Sequence, residues 1–113
     1  DPTARLIEGV ITGLRAVRES PALSSWFATA SAPIGGEMAE RSEVIRALVE
    51  GFVRSLGGSA ATAADAAVQH RARWLVRIMV SLLVFPGNDE ADERAMLAEF
   101  VAPLVVGATQ PAD

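Results

Sequence analysis

The sequence predicts an all-α fold, and three observations lead to that class. Apolar residues recur three and four positions apart along most of the 113 residues, which is the spacing of one helix face. Capping residues, prolines and glycines separate these stretches, as they do at helix ends. Runs of alternating β-branched residues between turns, which would indicate strands, are missing. We therefore expect five helices in a single domain that covers residues 1–113.

The first two helices are predicted on either side of a proline. Asp1 and Pro2 provide a cap and a first-turn proline, and apolar residues at helical spacing follow as far as Val17. Pro21 lacks the N–H group that would continue this helix, so the helix should end near Ser20. A short second helix is expected to begin at this Ser-Pro pair.

The third helix is expected from about Gly36 to Leu56. It follows SAPIGG at 31–36, whose composition indicates a loop. Gly57 and Gly58 should end it, because glycine adopts the left-handed conformation of helix C-termini at little cost. Its apolar stripe comprises Met38, Ile45, Leu48, Val49, Phe52, Val53 and Leu56.

The fourth helix is expected from Ser59 to about Phe85, where a Pro-Gly pair ends it. The fifth begins at a cap on Asn88, and the acidic residues that follow suit the positive end of the helix dipole. Pro103 falls inside its apolar stripe and should kink it. The tail ATQPAD, at 108–113, is expected to fray.

The fourth helix is apolar around most of its circumference between Trp74 and Phe85, and such a helix is either central to a core or shared between a core and a partner. One side can face the monomer core, and the other would remain an exposed apolar patch, which usually marks an interface. The fourth and fifth helices of two copies would then form a four-helix bundle with two-fold symmetry. The alternative is that the remaining helices of the monomer wrap the fourth helix completely. The predicted homodimer interface comprises Val76, Val80, Leu83, Val84, Met96 and Phe100.

Composition excludes several classes of function. The formal net charge is -4, with 14 Asp and Glu against 10 Lys and Arg, so this segment lacks the clustered positive charge that grips a phosphate backbone. The absence of cysteine excludes disulfides and thiolate zinc sites and fits a cytosolic protein. Arg77 and Ser81 interrupt the apolar run of the fourth helix, so we do not expect it to span a membrane.

Neither an enzyme active site nor a metal site is indicated. His70 is the only histidine, and a metal would need further ligands that converge on it. No serine lies in a nucleophile motif or beside an evident base. The acidic residues at 89–93 are explained by their position at a helix start. We therefore expect no catalytic residue and no cofactor.

A small apolar pocket is the remaining candidate site. Large or adaptable apolar side chains are the ones most able to line such a pocket, and the histidine would add a polar contact. The ligand would then be hydrophobic or amphipathic. The alternative is that these side chains simply fill the core. The candidate pocket residues are Trp26, Phe27, Met38, Phe52, His70 and Trp74.

Four segments follow in order along nearly the whole chain, and none of them is a catalytic signature. The segments are LRAVRESPALSSWF at 14–27, EMAERSEVIRAL at 37–48, RWLVRIMVSLLVFPG at 73–87 and ERAMLAEFVAPLV at 93–105. They resemble the C-terminal part of actinobacterial transcriptional regulators of the tetracycline-repressor (TetR) family.

The resemblance implies an all-α homodimer. In that family an N-terminal helix-turn-helix domain binds operator DNA, and a C-terminal domain binds a small effector and dimerises through its last two long helices. Residues 1–113 would correspond to this five-helix C-terminal domain, with the DNA-binding helices absent. DNA binding is therefore expected of the full-length protein and not of this segment, and the expected location is the cytoplasm. An effector bound among the first four helices would change the spacing of the DNA-binding heads in the dimer.

Overall fold

The computed structural model describes residues 1–28 and 31–107, and helices make up most of both ranges. No strand occurs in them, which confirms the all-α prediction. A π-helical segment, Leu97–Val101, joins the last two α-helices. The α-helices are α1 (Pro2–Glu19), α2 (Pro21–Ser25), α3 (Ala32–Arg41), α4 (Glu43–Ser55), α5 (Ser59–Thr62), α6 (Asp65–Val84), α7 (Glu90–Met96) and α8 (Ala102–Val105).

Helix α6 is the centre of the packing, since it contacts α1, α3, α4 and α8. Five of its residues are buried, and α1 covers both α6 and the segment from α7 to α8. These buried faces form one continuous apolar cluster. Its largest members are Leu6, Ile11, Leu14, Leu56, Leu75 and Leu97.

The first two helices follow the sequence prediction closely. The Asp1 carboxylate accepts a hydrogen bond from the Thr3 N–H at 3.3 Å, and the Ser20 hydroxyl accepts one from the Leu23 N–H at 3.2 Å. Each cap is followed by a proline, which needs no partner for an N–H group. The break between α1 and α2 is therefore determined by local chemistry.

The expected single third helix is wrong, because two helices occupy its place. The first begins at Ala32, inside the expected loop, and ends at Arg41. Ser42 is extended, with φ -68° and ψ 119°, and its hydroxyl accepts a hydrogen bond from the Ile45 N–H at 3.2 Å. A serine in this position caps a new helix more favourably than it continues the old one.

The expected fourth helix is also divided. Ala63 and Ala64 are extended, with ψ 149° and 152°, between α5 and α6. Alanine favours helix, so the break depends on tertiary contacts. Arg54 of α4 donates to the Ala63 carbonyl oxygen at 3.3 Å and also binds the Asp65 carboxylate.

The disruption predicted at Pro103 is a π turn that precedes the proline. The Ala102 N–H donates to the Leu97 carbonyl oxygen, five residues earlier, and α8 then begins with Pro103 in its first turn. The wider turn accommodates a residue that has no N–H and whose ring would clash with the preceding turn. The fraying predicted for 108–113 lies outside the described residues.

The described part of the chain is thin, with extents of 51 × 30 × 17 Å. Two packed helix layers, with axes about 8–10 Å apart, extend about 13–15 Å between Cα atoms, so the shortest extent corresponds to about two helix layers. A slab of this thickness leaves the outer surfaces of its helices open. Large apolar side chains on α6 and α8 lie on such an outer surface.

Candidate functional site

Four large apolar side chains are exposed along α6 and its C-cap, the π segment Leu97–Val101 and α8. We call this set the α6–α8 face. The two helices are adjacent, and the Arg71 guanidinium donates to the Val105 carbonyl oxygen at 3.1 Å, which places residue 71 level with the end of α8. Exposed apolar area of this kind is typical of a protein interface. The α6–α8 face comprises Trp74 (43% exposed), Phe85 (77%), Phe100 (64%) and Leu104 (62%).

The direction in which α6 faces the core explains why these residues are exposed. At about 100° per residue, Ser81 and Phe85 lie within about 20° of Trp74, and all three are exposed. Val76 is instead buried against α3, and a Cβ atom on Gly36 of α3 would lie 3.4 Å from Val80 Cγ1. The side of α6 that faces the core therefore lies between the apolar side that includes Trp74 and Phe85 and the apolar side that includes Val76 and Val80.

The six predicted interface residues consequently have different environments. Val76 is buried within the chain, and Val80 lies over α3. Leu83 and Met96 pack against the core cluster, and Val84 is half-buried. Only one member of the set, Phe100, belongs to the α6–α8 face.

The aromatic residues of the predicted pocket lie in separate places. The Phe52 ring packs on Gly9 of α1, where a Cβ atom would overlap it. Phe27 lies beside Gly35 of α3, whose hypothetical Cβ atom would be 3.3 Å from Phe27 Cδ1 and 2.9 Å from the Trp26 carbonyl carbon. These two contacts join different helix pairs and do not enclose a common cavity.

The remaining predicted pocket residues are also apart. Met38 is 52% exposed and lines a shallow depression with Ile34 at the end of α3. His70 and Trp74 are exposed on α6. The structure therefore does not bring the six candidate pocket residues together.

A polar groove of about 720 Å³ lies between α3, α4 and α6. We call it the arginine groove. At one edge, Glu40 accepts hydrogen bonds from Arg77 at 2.6 and 3.1 Å, and Arg73 lies 3.6 Å away. The hydrogen bond from Arg77 holds the pKa of the Glu40 carboxyl below its ordinary value. The lining residues are Glu37, Glu40, Arg41, Arg46, Gln69 and Arg73.

A buried ion pair fixes the turn between α6 and α7. The Glu93 carboxylate, only 3% exposed, accepts hydrogen bonds from Arg18 at 2.6 and 2.8 Å and from the Gly87 N–H at 3.1 Å. Arg18 also donates to the Leu82 carbonyl oxygen at 3.0 Å. Hydrogen bonding from Arg18 lowers the pKa of Glu93, despite the opposing effect of burial. Because one charge pair contacts α1, α6 and α7, it holds the α6–α7 hairpin against α1.

The acidic segment therefore has two roles, of which the sequence indicated one. Asp89, rather than the predicted Asn88, caps α7, and its carboxylate accepts a hydrogen bond from the Asp92 N–H at 2.8 Å. Glu93 could not be recognised as buried, because its partner Arg18 is 75 residues away.

In residues 1–28 and 31–107, no three acidic, histidine or cysteine side chains are grouped so that they could hold a metal ion. Within the same ranges, no helix combines the length and the apolar character that crossing a bilayer requires.

Comparison with known proteins gives two close relatives, both from Mycobacterium tuberculosis. They come from strains CDC 1551 / Oshkosh and ATCC 25618 / H37Rv, and each is described as an uncharacterized HTH-type transcriptional regulator. Each is 55% identical to this chain over 112 residues, which is 99% of the chain and 54% of the relative. The chain thus spans about half the length of the curated relatives it matches. No protein-family model matches it, and no solved structure matches it significantly.

Proposed function

We propose that residues 1–113 form the dimerisation and effector-binding domain of a helix-turn-helix transcriptional regulator of the TetR family. The relatives with 55% identity are described as HTH-type regulators, which supports a regulatory role. In this proposal the full-length protein works in the cytoplasm and binds DNA through a part outside residues 1–113. The acidic balance of the segment, with a net charge of -4, agrees with a role that does not include DNA contact. The domain itself catalyses no reaction.

The α6–α8 face is the observation that carries the proposal. In each copy, α6 forms a hairpin with the segment that runs from α7 through the π turn to α8. Two such hairpins would bury this face against each other and form a four-helix bundle. A two-fold interface uses the same patch on both subunits, so an apolar patch needs no complementary surface elsewhere. The proposed interface is therefore centred on Trp74, Phe85, Phe100 and Leu104, and Val76 and Val80 are not part of its centre.

The proposed mechanism couples an effector to the dimer through α6. This helix contacts α3 and α4 on one side and carries Trp74 and Phe85 on its outer surface. An effector between α3, α4 and α6 would move these helices relative to one another, and a dimer built on α6 would transmit the movement to the DNA-binding parts. Such a ligand acts only through a difference in its affinity for the two arrangements.

The oligomeric state tests the proposal. Light scattering during gel filtration at about 10 to 100 µM is expected to give twice the chain mass of 11.9 kDa. The apolar area that remains exposed in the monomer is the reason for this expectation. A monomer mass across the whole concentration range would overturn the proposed dimer.

A second candidate function is a dimerisation module that binds no ligand. The observation that favours it is the separation of the six predicted pocket residues, which leaves Phe52 and Phe27 as packing residues. A thermal-shift screen with lipophilic compounds separates the two candidates, because a ligand that binds only the folded state raises the melting temperature. The module without a ligand is expected to show no shift with any compound.

A further inference from the structure

The arginine groove has a local charge opposite to that of the whole chain. The chain carries a net charge of -4, whereas the groove is lined by three arginines and two glutamates. One further arginine, Arg77, lies against Glu40 at the groove edge. A concave surface with excess guanidinium groups attracts anions, and guanidinium binds carboxylate and phosphate in a bidentate manner.

The pairing within the groove leaves some of these guanidinium groups available. Glu40 is occupied mainly by Arg77, and its contact with Arg73 is longer, at 3.6 Å. Arg41 has an exposed contact of 3.4 Å with Glu37 of the same helix. Arg46 has no ion-pair partner in the described part of the chain. Arg46 and Arg73 therefore have hydrogen-bond donors to offer to an anion.

A small void adjoins the groove at these two arginines. Arg46 and Arg73 line this void of about 10 Å³ together with Ala39, Glu40, Ala72 and Val76. Ala72 and Val76 are buried, so neither side chain is open to the groove. A space of this size holds no more than about one water molecule, so the groove itself is the part that can accept a ligand.

We propose that the arginine groove binds a small organic anion, with its carboxylate or phosphate group held by Arg46 and Arg73 and its organic part along the groove. The groove volume of about 720 Å³ falls within the usual range for small-molecule sites. This inference rests on the proposed function, because it names the chemical class of the effector. It also narrows the expected ligand from a hydrophobic or amphipathic molecule to an organic anion.

Titration calorimetry with four simple probes tests the inference. The probes are octyl phosphate, octanoate, octanol and inorganic phosphate. An anion site is supported if octyl phosphate, octanoate or both bind, and if octanol binds at least tenfold more weakly. The anion that binds more tightly then identifies the head group. Inorganic phosphate is expected to bind more weakly than octyl phosphate, because it lacks the apolar part.

Arg46→Gln is the informative variant. Arg46 has no described ion-pair partner, so its replacement should not disturb folding, and melting temperature checks this. A lost charge-assisted hydrogen bond weakens binding by about tenfold or more, and the remaining affinity should depend less on salt. Arg5→Gln is the matched control, since Arg5 lies on α1 outside the groove and donates only a 3.4 Å hydrogen bond to the Ser55 carbonyl oxygen.

Three results would overturn the inference. They are an octanol affinity equal to that of the tighter-binding anion, the same affinity in Arg46→Gln as in Arg5→Gln, and an absence of binding by both organic anions. Light scattering on the same samples keeps this test separate from the test of the proposed function. A dimer that binds neither organic anion overturns the anion site and leaves the dimer standing, whereas a monomer that binds octyl phosphate overturns the dimer alone.

Discussion

Truncation of Phe100 is the most direct test of the α6–α8 face. Phe100 lies in the π turn between α7 and α8 and is 64% exposed, so the monomer gains little from its ring. A dimer built on this face would bury two copies of the ring near its two-fold axis. Phe100→Ala is therefore expected to weaken the dimer strongly and to leave the fold of the monomer intact.

The magnitude follows from the exposed area. An aromatic side chain offers about 200 Å² of surface, so the exposed fraction of Phe100 corresponds to about 130 Å². At about 25 cal/mol per Å², its burial contributes about 3 kcal/mol for each subunit. Alanine would retain about a third of this, so truncation in both subunits costs about 4 kcal/mol. The dimer dissociation constant should rise about a thousandfold.

Sedimentation equilibrium over a wide concentration range measures that constant. Leu48→Ala is the matched control, because Leu48 is 68% exposed but lies on α4, away from the proposed interface. Its dissociation constant should equal that of the unmodified protein. If Phe100→Ala and Leu48→Ala dimerise equally well, or if both weaken the dimer, the α6–α8 face is not the interface.

Two further predictions concern stability. Gly35→Ala should lower the free energy of unfolding by about 2 kcal/mol in a denaturant titration, since its Cβ atom would press on the Trp26 backbone. Gly51→Ala, on the open side of α4, should raise it by about 0.5–1 kcal/mol, and the reverse order would refute this packing. Glu93→Gln should lower the free energy of unfolding by about 2 kcal/mol at pH 7, because Arg18 loses its charged partner. Since the pKa of Glu93 is lowered on folding, this contribution is present above the unfolded value of 4.5 and disappears as pH falls through the folded value. The difference from the unmodified protein should therefore shrink in acid.

The helix ends that could be predicted from the sequence are those that local chemistry determines. Asp1 and Ser20 precede prolines, and both cap a helix in the structure. Gly57 and Gly58 have φ values of 85° and 60°, which explains why glycine ends α4 there. Each of these features depends on residues within a few positions of the helix end, and the sequence shows those residues directly.

The breaks that escaped prediction depend on competition or on distant partners. Ser42 fits both an exposed helical position and a cap, and only the geometry shows that it caps α4. Leu48 of the predicted apolar stripe is exposed, since it lies about 140° around α4 from the buried Val53. Ala63 and Ala64 favour helix by themselves, and the contact from Arg54 that accompanies their extended conformation spans the α4–α6 connection.

The candidate sites were harder to predict for the same reason. Periodicity separated two apolar sides of α6, but it could not show that the core direction falls between them. Glu40 and Arg77 are 37 residues apart, so their pairing becomes visible only when α3 packs on α6. A sequence pattern thus identifies a charged residue without its partner, and the arginine groove consists almost entirely of such residues.

The two proposed sites share one helix, and this has a physical consequence. Arg73 lines the arginine groove, and its neighbour Trp74 belongs to the α6–α8 face. Helix α6 is held at one end by the Arg18 hydrogen bond to the Leu82 carbonyl oxygen and at the other by the ion pair of Arg54 with Asp65. An anion that draws Arg73 away from Glu40 would therefore act between two held points, and a shift of the helix there would reorient Trp74, the neighbour of Arg73, more than Phe85. Such a shift would change the contact between the two α6 helices in the dimer while leaving the Phe85 end of the bundle packed. Coupling of this kind is reciprocal, so the dimer must alter the affinity for the anion by the same factor as the anion alters the affinity of the dimer.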